Sequence, residues 1–256
     1  MDLAYAFSGF AVGAIVGLTG VGGGSLMTPL LVLLFGVAPA TAVGTDLLYA
    51  AITKAGGVIV HARRRHVRWD IVGRMAAGSI PGALVTIGIL HFAEIDGGAL
   101  TRIVKQALGV ALILTAFAVL GRHRIQQWGS AASSAWHARW IAPLTVIVGF
   151  VLGVLVTLSS VGAGALGVAA LVFLYPRLST VAIVGSDIAH AVPLTLVAGL
   201  GHAHLGTVDW PLLGSLLVGS LPGIWLGSLL SARVPDRVLR SGLASILVVI
   251  GGKLVL

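Results

Sequence analysis

Val21-Gly22-Gly23-Gly24-Ser25-Leu26 returns 140 residues later as Val161-Gly162-Ala163-Gly164-Ala165-Leu166. Each block interrupts apolar sequence and is followed by a short apolar run, at about 25–35 and 164–175. Such a run gives about 16 Å of helix, against about 30 Å of hydrocarbon in a bilayer. These runs read as half-helices or as parts of re-entrant hairpins. Backbone broken at membrane depth is tolerated only where it is buried in protein or lines a cavity.

The rest of the chain repeats in the same order. Gly9-Phe10-x-x-Gly13 recurs as Gly149-Phe150-x-x-Gly153, Val43-Gly44-Thr45-Asp46 as Val184-Gly185-Ser186-Asp187, and Gly78-Ser79-Ile80-Pro81-Gly82 as Gly219-Ser220-Leu221-Pro222-Gly223. His61 aligns with His202 and Trp69 with Trp210. The expected organisation is one repeat over 1–120, a cytoplasmic linker over 121–139 and a second repeat over 140–256, within one membrane domain. Each repeat holds five segments, an odd number, so the second lies upside down relative to the first. Inverted repeats with interrupted helices are a transporter signature, with the site near the midplane where the repeats meet.

Composition fixes the class independently. The 256 residues are 57% hydrophobic and 9% charged, with a mean hydropathy of +1.06. Soluble domains carry about 25% charged residues, so an ordinary soluble enzyme, a disordered chain and a secreted scaffold are excluded. Apolar runs at about 3–19, 25–35, 40–60, 70–92, 101–120, 140–158, 164–175, 180–201, 209–230 and 236–255 predict an all-α polytopic membrane protein with about 8–10 membrane segments. The runs lack the dyad alternation of a membrane barrel. The start, Met1-Asp2-Leu3, has no basic region of the kind that opens a cleaved signal peptide. With no cysteine, thiol chemistry and thiolate metal sites are excluded.

The net charge of +8 follows from topology. With both termini outside, twelve of the sixteen basic residues fall in the cytoplasm, among them Arg63, Arg64, Arg65 and Arg68. Arg102, Lys105 and Lys253 fall outside, and Lys54 lies within a span. The positive-inside rule explains this asymmetry without nucleic acid.

A few polar residues remain inside spans. The breaks at Gly22, Gly23, Gly24, Gly162 and Gly164 free backbone N–H groups that suit an anion, and Ser25, Thr28, Thr45, Ser159, Ser160 and Ser186 add hydroxyls. The alternative for the glycines is close helix packing. Asp46 and Asp187, one per repeat, are candidate proton carriers or helix caps. Lys54, two turns after Asp46, reads as an anion ligand, an ion-pair partner or a snorkelling side chain. His190, one turn after Asp187, reads as a proton relay or a packing residue. His61, His66, His202 and His204 lack acidic neighbours at fixed spacing and read as interfacial, so no metal or cofactor is expected.

On these paired glycine blocks, Pro29, the two Val-Gly-Thr/Ser-Asp blocks and the two Gly-Ser-x-Pro-Gly blocks, the chain resembles the sulfite exporter TauE/SafE family over essentially its whole length. The resemblance implies a permease of the bacterial cytoplasmic membrane for sulfite, sulfonates or other small sulfur-containing or organic anions. The expected function is therefore a secondary anion transporter, ion- or proton-coupled. The alternative is a passive anion channel or a membrane subunit of a larger complex. The chain has no phosphate-binding Gly-x-x-x-x-Gly-Lys-Ser/Thr motif, nucleophile elbow or His-Glu-x-x-His motif, which argues against an ATPase or a hydrolase. The expected partners are a small anion and the bilayer, with homo-oligomerisation left open.

Overall fold

The computed structural model describes residues 3–19, 24–92, 97–131, 135–230 and 236–255. These form ten α-helices, with no strand among the described residues: α1 (Leu3–Thr19), α2 (Gly24–Leu34), α3 (Pro39–Arg63), α4 (Trp69–Phe92), α5 (Gly97–Ala131), α6 (Ala135–Ser159), α7 (Ala165–Leu174), α8 (Thr180–His204), α9 (Trp210–Leu230) and α10 (Asp236–Val255). Within α3, α4, α5, α6, α8 and α9 lie stretches long and apolar enough to cross a membrane. The chain is thus an all-α polytopic membrane protein. Helices α2 and α7 have 11 and 10 residues, the short pieces expected after the glycine breaks. Helix α5 runs past residue 120 to Ala131, so most of the interval read as a linker is helical. At 35 residues it reaches about 52 Å, longer than the hydrocarbon is thick.

The two halves are bound together by exchange. α1 packs on α9, and α4 packs on α6. A Cβ placed on Gly9 or Gly13 would lie 2.5 Å from the carbonyl oxygen of Leu216 or Ser220. The equivalent Gly149 and Gly153 press in the same way on the carbonyls of Met75 and Ser79. From the facing helices, Gly219 and Gly223 meet the Ala6 and Phe10 carbonyls, while Gly78 and Gly82 meet those of Val146 and Phe150. Lipid supplies no hydrophobic force between helices, so backbone-to-backbone approach through small residues takes its place. Gly9 and Gly13 meet Leu216 and Ser220 in the same order, as Gly149 and Gly153 meet Met75 and Ser79, so the paired helices run parallel. A first segment can run parallel to the other repeat's fourth only if the second repeat is inverted.

Helices α3 and α8 cross antiparallel at the centre. Gly44 of α3 sits by His202 and Gly185 of α8 by His61, while Gly199 meets Leu48 and Gly57 meets Ile188. This register is symmetric about residues 52–54 of α3 and 193–195 of α8, which marks the pseudo-twofold axis.

The loop after each of these helices folds over the end of the other. The Arg68 N–H donates to Ser186 Oγ over 2.9 Å, and the Asp209 N–H donates to Thr45 Oγ1 over 3.0 Å. Imidazoles plug both ends, one at the first and two at the second. His202 is fully satisfied, its Nδ1 at 2.8 Å from Thr207 Oγ1 and its Nε2 at 2.9 Å from the Thr157 carbonyl. At the other end His66 occupies the position equivalent to Thr207. The His61 and His66 rings lie 5.8 Å apart, and the Nδ1 of each is buried without a hydrogen-bond partner among the described residues.

Candidate functional site

Asp46 lies seven residues into α3, fully buried. Helix α2 folds back against α3, and Thr28 Oγ1 donates to Asp46 Oδ2 over 2.5 Å. Asp46 Oδ1 has no hydrogen-bond partner among the described residues. The hydroxyl of Ser160, from the break of the second repeat, lies beside the same carboxylate outside strict hydrogen-bond geometry. Residues of both repeats thus meet at one acid.

Ser160 is also conformationally unusual. Its φ of +56° is in the left-handed region, and its side chain is buried. Such a conformation is uncommon for a non-glycine residue and costs about 1–3 kcal/mol. The equivalent position in the first repeat is Gly20, the residue type that accepts it without strain. A serine held there supplies a hydroxyl that glycine cannot. Ser160→Gly is expected to hold or raise the thermal unfolding temperature of purified protein while lowering substrate flux several-fold. A structural serine would lose both.

Asp187 is the symmetric acid on α8, also buried, and its Oδ1 has no partner among the described residues. Its carboxylate rests against Gly167 of α7, where any Cβ would collide with Oδ1. Val168 occupies the position equivalent to Thr28, so Asp187 lacks the hydroxyl that Asp46 enjoys.

Lys54 lies at the pseudo-twofold axis, where its ammonium interacts electrostatically with both Asp46 and Asp187. It donates a hydrogen bond to the carbonyl of Ala163, inside the second break. Its equivalent, Thr195, spends its hydroxyl on the Ala191 carbonyl at 2.8 Å. One cation therefore lies within electrostatic reach of two symmetric carboxylates. The Lys54 ammonium is engaged at the break, whereas the snorkelling alternative would carry it to the membrane surface. His190 Nε2 sits 2.8 Å from Ser79 Oγ of α4, and its Nδ1 has no partner among the described residues. The symmetric pair is Tyr49, whose hydroxyl lies beside Ser220.

The remaining candidates divide. Gly162 and Gly164 hold φ values of +115° and +149°, so the second break needs glycine at both, and Gly164 precedes α7 as its N-cap. Ser159 donates to the Leu155 carbonyl at 2.6 Å and finishes α6 locally. Thr45 and Ser186 are engaged by loop N–H groups and face away from their neighbouring acids. Gly24 and Ser25 begin α2, while Gly22, Gly23 and the Ser25 side chain lie outside the described residues. Ser79 and Tyr49 were not singled out from sequence. Their signal was there, since Ser79 sits in a duplicated block and Tyr49 aligns with His190.

The family model described as "Sulfite exporter TauE/SafE" matches residues 5–254. The chain is 41% identical to "Probable membrane transporter protein YjnA" of Bacillus subtilis (strain 168), covering 100% of both chains. It is 28% identical to "Probable membrane transporter protein YdhB" of the same organism, over 91% of this chain and 92% of the relative. It is 30% identical to a "Probable membrane transporter protein" of Xylella fastidiosa (strain Temecula1 / ATCC 700964), over 89% and 84%. No solved structure matches the chain significantly. A shared pattern over nearly the whole length, in a helical bundle with a crossed, charged centre, has one reading: the chain belongs to the sulfite exporter TauE/SafE family of membrane transporters.

Proposed function

We propose that the chain is a secondary transporter that moves a small oxyanion across a bacterial cytoplasmic membrane, coupled to protons, through one site at the pseudo-twofold axis. Sulfite, sulfonates and other small sulfur-containing or organic anions are the substrate class. The observation that carries this reading is the single ammonium of Lys54, held on the Ala163 carbonyl of the second break within electrostatic reach of both Asp46 and Asp187. With all three groups ionised the cluster carries −1 and repels an anion. Proton uptake by one acid brings it to zero, and uptake by both to +1. An anion therefore binds best to the proton-loaded cluster, and the two travel together. The start of α7 adds backbone N–H groups with no side-chain cap at Gly164, and the Ser160 and Thr28 hydroxyls add donors.

Charge is costly in hydrocarbon unless paired or facing a cavity, so the acids are kept for a task beyond packing. Thr45, Ser186 and Ser159 hold the scaffold in this scheme, and His190 with Ser79 lies one turn from Asp187 as a proton route.

The test is flux into proteoliposomes with radiolabelled sulfite, thiosulfate and alkylsulfonates under imposed pH gradients. Gradient-driven, saturable uptake of at least one is expected. Asp46→Asn and Asp187→Asn should each abolish the response to the pH gradient while leaving anion exchange measurable. Wild-type flux of no small anion overturns the function. Flux that keeps its full pH response in both variants overturns the coupling.

A further inference from the structure

An apolar groove of about 580 Å³ opens on the membrane-facing side between α5 and α6. Its wall on α5 runs from Leu114 to Trp128, about 21 Å of helix. Ile147 to Leu155 of α6 forms the other wall, and Leu166 of α7 lines it as well. The end toward the close of α5 carries Arg124 and Trp128, both exposed. Among the described residues Arg68–Asp70 is the one ion pair, so Arg124 has no carboxylate partner there.

We infer that this groove binds an anionic phospholipid of the arginine-rich leaflet, with its phosphate on Arg124 and one acyl chain lying along the groove to Leu166. Three features favour this occupant over a second copy of the chain. The one basic side chain of the lining, Arg124, lies toward one end, as a headgroup and tail require. An arginine recognises phosphate oxygens through a planar fork of donors, and a tryptophan beside it sits at headgroup depth. The length fits as well, since about 21 Å covers one leaflet, roughly 15 Å of hydrocarbon, and its interface.

The position of Leu166 gives the lipid a consequence. Leu166 is the second residue of α7 and packs on Gly162, where a Cβ would lie 3.1 Å from its Cδ1. The next residue, Gly167, is covered by Asp187. The acyl chain therefore props the start of the broken helix from the membrane side and holds Gly167 against Asp187. The lipid is a structural ligand whose loss loosens the site.

Native mass spectrometry of the detergent-purified full chain tests this, with titrations of phosphatidylglycerol, phosphatidylethanolamine and inorganic phosphate. One phosphatidylglycerol is expected to bind at least tenfold more tightly than phosphatidylethanolamine, with inorganic phosphate failing to displace it. Arg124→Gln should erase that preference. Val151→Trp, which fills the groove and keeps Arg124, should abolish retained lipid of both kinds. Equal affinity for both lipids in the wild type, or retention unchanged in both variants, overturns the proposal. Displacement by phosphate alone assigns Arg124 to a free anion and overturns it too, and a dimer that dissociates in Val151→Trp assigns the groove to a second copy. A variant that fails to fold is recognised by its gel-filtration profile, and the other variant then decides. Lipid binding is read without flux, so its outcome is independent of the transport reading.

Discussion

Lys54→Met is expected to reduce anion flux in proteoliposomes by at least 100-fold, the largest functional effect of any single substitution in the bundle. The ammonium is the one positive group between two buried carboxylates, and its loss takes the fully ionised cluster from −1 to −2. Among the described residues Lys54 forms no direct ion pair with either acid, but a buried charge left without its compensating neighbour costs about 3 kcal/mol. At about 1.4 kcal/mol per tenfold, a 100-fold loss corresponds to about 2.8 kcal/mol, close to the whole of that penalty. Part of the penalty falls on folding, so the single variant is paired with Lys54→Met/Asp187→Asn. The double variant should recover yield and unfolding temperature, because one orphaned charge has gone, yet still transport nothing. Recovery of transport in the double variant would show that Lys54 only balances Asp187 and never meets the substrate.

Gly78→Leu and Gly219→Leu are each expected to prevent stable folding, visible as aggregation on gel filtration in mild detergent. At both positions a Cβ would sit inside the carbonyl of a facing helix, that of Val146 or Ala6. Backbone cannot step aside as a flexible side chain can, so the helix pair must part. Forcing extra carbon atoms into a packed contact costs about 1–3 kcal/mol even where neighbours can shift. The controls are Gly73→Ala and Gly214→Ala, another symmetric pair, with nothing within 4 Å of either added Cβ. These should fold as well as wild type. Equal behaviour of the two sets would mean that the helix pairs are held by something other than backbone contact.

Much of this was legible before any coordinates. The ten segments, the short α2 and α7, and the duplicated acids follow from apolar run lengths and repeated blocks. What sequence could not show is which helix faces which. Gly9 and Gly149 look alike as repeat markers, but only the fold reveals that each packs on the fourth helix of the other half. Thr45 and Ser186 illustrate a finer limit. Each adjoins an acid in sequence, which suggested a shared site. Neighbours on a helix are about 100° apart, so the hydroxyls turn to the opposite loop while the acids turn inward. The strain at Ser160 was half visible, since a serine aligned with Gly20 departs from the glycine pattern, though its left-handed backbone was not.

The histidine plugs have one more consequence. Each buried polar atom without a partner costs about 1–3 kcal/mol. The His202 plug leaves none, whereas the His61–His66 plug leaves two. A closed seal on the arginine side is therefore the dearer of the two, and water entering there regains two hydrogen bonds. Two halves built from one blueprint thus end in unequal seals, and the one at the arginine-rich end is the less well satisfied.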